Sequence, residues 1–77
     1  MMAFSDFRRL VHSYGRVKAT VVTTGPKGRT VDALLTEADI HHAIRRNLIA
    51  TEMGLINARV DRQRLVLNTP IHVPAAA

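Results

Sequence analysis

The sequence predicts an α+β fold, a two-layer sandwich in α-β-β-α-β-β order with a four-stranded antiparallel sheet and both helices on one of its faces. Three observations carry this reading. Apolar residues recur at helical spacing in two segments, 7–14 and 40–48. They alternate with polar residues in four others, near 16–24, 29–34, 55–60 and 64–69. Short polar connections separate the members of each strand pair, which makes each pair a hairpin.

Ser5 stands as an N-cap with Asp6 in the first turn. Phe7, Leu10, Val11 and Tyr14 then fall at i, i+3, i+4 and i+7, and Gly15 follows where a left-handed C-cap residue is usual. The first helix therefore runs from about Asp6 to Tyr14, and Phe4, Phe7 and Tyr14, the only aromatics, are expected in the core. From Arg16 the period changes to two. Val17, Ala19 and Val21 alternate with Arg16, Lys18 and Thr20 through Thr24. Gly25-Pro26-Lys27-Gly28 supplies the turn, and Arg29 to Leu34 returns with Val31 and Ala33 on one face and Thr30 and Asp32 on the other.

The second helix is the most legible element. Thr36 and Asp39 form a capping-box pair, Leu35 and Ile40 a hydrophobic staple, and Glu37 adds charge to the first turn. Ile40, Ile44 and Leu48 make its apolar stripe with Ala43 beside it, and Met53-Gly54 marks its end. Leu55 to Val60 reads as a strand with Ile56, Ala58 and Val60 inward and Asn57 and Arg59 outward. Asp61-Arg62-Gln63 is a polar turn without glycine. Arg64 to Thr69 places Leu65 and Leu67 inward and Val66 outward, Pro70 ends it, and Ile71-His72-Val73 extends along a neighbour. One domain spans residues 1–77, with fraying expected at 1–4 and 74–77. Gly15-x-Val17-x-Ala19-x-Val21 matches Gly54-x-Ile56-x-Ala58-x-Val60, a weak internal repeat.

At 77 residues the chain holds one small core, without cysteine to staple it, so homo-oligomerisation is expected. No apolar run approaches the ~18 residues of a membrane span, and no secretory signal is evident, so a cytoplasmic protein with no membrane partner is expected. Eleven Lys and Arg, nine of them Arg, against six Asp and Glu leave a net charge of +5, which favours anionic partners: nucleic acid or an acidic protein.

With both helices on one face, the other face of the sheet is open. Arg16, Lys18, Arg59 and Arg64 point out of it together, and Lys27 and Arg29 crown a hairpin tip. Such a surface can follow phosphates. No aromatic falls on a strand, so base stacking of the kind sheet-based RNA readers use is not expected. The alternative is association with another protein or copy through Val22, Val66 and the tail strand carrying Ile71 and Val73. Lys27-Gly28-Arg29-Thr30 lacks the spacing of a phosphate-binding loop. His41 and His42 are adjacent on a helix and cannot readily share an ion, so no metal, no cofactor and no catalytic constellation is assigned.

Overall fold

The computed structural model describes residues 1–74. Its elements are β1 (Met2–Ala3), α1 (Phe4–Tyr14), β2 (Arg16–Thr23), β3 (Thr30–Thr36), α2 (Glu37–Arg45), β4 (Leu55–Ile56), β5 (Ala58–Asp61), β6 (Arg64–Leu67) and β7 (Ile71–Val73). The α+β class and the two helices stand as expected, but the sheet does not: it is mixed and five-stranded. The hairpins β2–β3 and β5–β6 are antiparallel, and they join through a parallel contact between β2 and β6 in the order β3-β2-β6-β5. β7 also runs parallel to β2, on the same edge as β6 but farther along. Alternation of apolar residues specifies which face a strand buries, but not the direction of its neighbour, so the sequence pattern is the same for either arrangement.

β6 and β7 are one interrupted strand. Val66 stands opposite Lys18, and Ile71 opposite Val21. Three steps along β2 therefore match five steps along its neighbour. The two surplus residues are taken up between Asn68 and Pro70, where proline has no N–H to give to the ladder. Asn68 instead donates its N–H to the Asn57 carbonyl at 2.8 Å. Because the surplus is even, Ile71 keeps the inward facing of Leu65 and Leu67.

β2 is central. Its Val17 and Ala19 lie buried with Ala58, Leu65, Leu67 and Ile71 of the sheet, and Phe7 and Val11 of α1 and Ile40 and Ala43 of α2 close the same core. Both helices thus cover one face. The aromatics divide: Phe7 is fully buried, Phe4 packs on it with ring centroids 6.4 Å apart, and Tyr14 is 39% exposed and no part of the core.

Both helix starts repay comparison. α1 begins two residues earlier than Asp6 and has no side-chain cap; Ala3 is its N-cap, and Ser5 lies within the helix. The Phe4 N–H donates to the Gly54 carbonyl at 2.8 Å, and Met2–Ala3 pairs with Leu55–Ile56, so the segment expected to fray is a strand. At the other end of the chain, the tail expected to fray passes beyond Pro74 outside the described residues. α1 ends at Gly15 in the left-handed region, with the Gly15 N–H bonded to the Val11 carbonyl, and Gly54 takes nearly the same φ before β4. The repeat therefore matches in glycine conformation and in the burial of its first two apolar residues, but not in pairing: Ile56 lies on β4 beside β1, whereas Val17 lies on the central strand.

α2 has the full capping box. The Asp39 N–H donates to Thr36 Oγ1 at 3.2 Å, and the Thr36 N–H donates to Asp39 Oδ2 at 3.0 Å. That backbone hydrogen bond, with the Thr36 hydroxyl and the charge of Arg16 behind it, holds the Asp39 carboxyl below the usual carboxylate range. The helix ends at Arg45, well before Met53-Gly54, because the chain turns out at Asn47 with φ of +56°. Replacing Thr36 with alanine removes the cap and is expected to cost about 1 kcal/mol, a drop of about 4–8 °C in melting temperature for a domain of this size. Folding lowers the Asp39 pKa, so its contribution is fully present above the ordinary carboxylate range and is lost as pH falls through the folded value. Urea midpoints at neutral and acid pH check the sign: Asp39→Asn loses less stability on acidification than the unaltered chain.

Candidate nucleic-acid interface

The outward residues of the sheet form rows across the strands. Lys18 pairs with Leu34 on one side and with Val66 on the other, and Val66 pairs with Arg59. Leu34, Lys18, Val66 and Arg59 therefore make one row, with Lys18 and Arg59 two strand spacings apart, about 9.6 Å. Beside this row, Asp61 pairs with Arg64 at the end of the β5–β6 hairpin. The turn itself puts Arg62 and Gln63 at φ of +50° and +63°. Two consecutive left-handed residues are the mark of a type I′ turn, here made without glycine or asparagine.

This geometry gathers Lys18, Arg59, Arg62, Arg64, Asp61 and Val66 around an open recess of about 370 Å³. Four cations from β2, β5, the turn and β6 thus face one carboxylate. Lys18 and Arg64 also border an adjoining, smaller recess with Asp32 and Leu34. Arg59 is held in place: it donates to Asn68 Oδ1, and its other terminal nitrogen lies 3.6 Å from Asp61 Oδ2. All four cations are exposed.

The remaining basic residues stand elsewhere. Arg16 donates to the Gly15 carbonyl at 3.1 Å, and its charge acts on Asp39 at the start of α2. Lys27 and Arg29 lie at the far end of the β2–β3 hairpin. Arg29 accepts the Thr23 N–H, five residues along β2 from Lys18 and about 17 Å away at strand rise. The tip is tightly made: a Cβ on Gly28 would fall 2.1 Å from the Thr23 carbonyl oxygen, so this position takes glycine only. Arg62, which lines the recess, was not expected there. Its signal was positional: a residue in a two-residue hairpin turn stays beside the ends of both strands.

The apolar set expected for association does not form a patch. Val22 and Val66 are both on the open face and half-buried, but Val22 lies four positions along β2 from Lys18, the neighbour of Val66. Ile71 is buried in the core, and Val73 packs against it from the helical side, in an apolar recess of about 410 Å³ beside α2. The tail strand gives one edge to β2, and its other edge pairs with no strand among the described residues.

On the helical layer, Glu37 lies 3.1 Å from His12 Nδ1 and 3.8 Å from His41 Nε2, which ties the end of α1 to the start of α2. Among the described residues, no group of three His, Asp or Glu side chains is arranged to hold a metal ion, and no helix is long and apolar enough to cross a membrane. Comparison of the chain with protein-family models, curated proteins and solved structures gives no match.

Proposed function

We propose that this protein is a non-enzymatic binding module that contacts the phosphates of nucleic acid through Lys18, Arg59, Arg62 and Arg64 on the open face of its sheet. One observation carries the reading: four exposed cations from three strands and a turn surround one recess that contains a single carboxylate. A surface built this way meets closely spaced negative charges at several points, and arginine presents a planar fork to each phosphate. No aromatic side chain lies on a strand, so the contact is to the backbone and carries little sequence preference. The +5 net charge adds a long-range attraction of the same sign.

An acidic protein would meet the same cations, and salt dependence separates the two. Four phosphates neutralised on duplex DNA give a slope of log affinity against log salt of about −3.6. Because Arg59 already shares Asp61, the expected slope is nearer −3, read by titrating labelled duplex and single strands at increasing salt. Absence of binding at about 50 mM salt, where even non-specific contacts register, sinks the proposal.

A further inference from the structure

The sheet has three outer edges among the described residues, on β3, on β5 and on the side of β7 away from β2, and they differ; β7 is three residues long and stands between Pro70 and Pro74. β5 is four residues long and carries Arg59 and Asp61. Short length and charge are the usual protections of an edge. β3 has less of both: its seven residues contain one charge, Asp32, and no proline, and Val31 and Leu34 are 46% and 55% exposed. We infer that the free edge of β3 is the docking surface for a second copy of this chain, which adds antiparallel to continue the sheet across a two-fold axis.

The backbone dictates how this happens. The Thr23 N–H donates to the Arg29 carbonyl, so pairs 23–29, 21–31, 19–33 and 17–35 are the hydrogen-bonded ones of the β2–β3 ladder. Val31, Ala33 and Leu35 therefore turn their N–H and C=O groups toward β2. Thr30, Asp32, Leu34 and Thr36 turn theirs to the open edge. The capping box agrees, since the outward Thr36 N–H is taken by Asp39.

Two copies can bond only where outward groups meet outward groups, so the partner positions must add to an even number. That condition also keeps the helical faces of both copies on the same side of the joined sheet. An axis at Asp32 sets two carboxylates face to face, which is unfavourable. An axis at Val31 runs into the hairpin turn, and one at Leu34 overlaps only five residues. An axis at Ala33 overlaps all seven, with the Thr36 N–H left on Asp39 and outside the new ladder. It places Val31 against Leu35 of the second copy and Asp32 against Leu34. Leu34 neighbours Lys18 on β2, so the single edge charge comes within two strand spacings of a cation of the second copy.

The test uses the absence of cysteine from the chain. In this register the two Ala33 residues form a non-hydrogen-bonded pair with Cα atoms about 4.5 Å apart, within the range a disulfide spans. Ala33→Cys is expected to cross-link on mild oxidation, whereas Leu34→Cys, which faces Asp32 of the second copy, is not. Light scattering of the unaltered protein in high salt is expected to give twice the 8.5 kDa chain mass. A monomer mass at millimolar concentration overturns the inference. A dimer mass with no Ala33→Cys cross-link, or with Leu34→Cys linking as readily, overturns the assignment of the edge and register.

Discussion

Phe7→Ala is expected to lower the stability of this protein by about 3–5 kcal/mol, the cost of removing a fully buried aromatic side chain and leaving its cavity. Few substitutions matter more here. At about 0.05–0.15 kcal/mol per residue, a chain of this length has about 4–12 kcal/mol in total, so the loss takes about a quarter of it or more. The reason lies in how few large side chains the core holds. Phe7, Ile40, Ile56 and Leu65 are its largest fully buried members, and Phe7 comes from α1 while Leu65 comes from β6. Removing the ring uncouples the helix from the parallel strand pair at the centre of the sheet. Tyr14→Ala is the comparison, since its ring is partly in water and its loss is expected to cost about 1 kcal/mol or less. Urea unfolding followed by circular dichroism reads both; equal costs for the two aromatics would mean that α1 packs differently.

Lys18→Gln with Arg64→Gln is expected to reduce nucleic-acid affinity on the order of 100-fold at about 50 mM salt and about 6–8-fold at about 200 mM, with the salt slope lower in magnitude by about two. These two residues border both recesses on the open face, so no other pair removes as much of the cationic lining. Neither side chain enters the core, and folding should be unaffected. Lys27→Gln with Arg29→Gln, at the hairpin tip about 17 Å from Lys18, is the informative contrast. If the tip pair weakens binding as much as the recess pair does, the phosphate track runs along β2 and the recess is only one end of it. Unchanged affinity in the recess variant would remove the open face from consideration.

Local chemistry was the legible part of this chain. The capping box at Thr36 and Asp39 needs only those two residues, and the facing of Leu65, Val66 and Leu67 needs only their alternation. Both are short-range facts that any correct reading of the segment reaches. What the sequence withheld depends on partners distant along the chain. The parallel meeting of β2 with β6 leaves no trace in either segment, because a parallel and an antiparallel neighbour bury the same residues. α2 ends without glycine or proline; its signal was Asn47, a residue that tolerates the left-handed region, hidden by Leu48 continuing the apolar stripe. The strand expected from Leu55 to Val60 breaks at Asn57, with Leu55–Ile56 recruited by the N-terminus. For the candidate site, outward facing was readable for Lys18, Arg59 and Arg64. Their convergence was not, since it depends on β6 lying between β2 and β5.

The step between β6 and β7 also constrains how the chain can vary in length. Side-chain facing repeats every two residues, so the connection at 68–70 acts as an odd–even filter. One residue gained or lost there would swing Ile71 into solvent and turn His72 toward the core, exchanging an apolar contact for a buried imidazole. Two residues lost would let the interrupted strand close up against β2 with every facing preserved. Natural or designed variants of this segment are therefore expected to differ in pairs of residues.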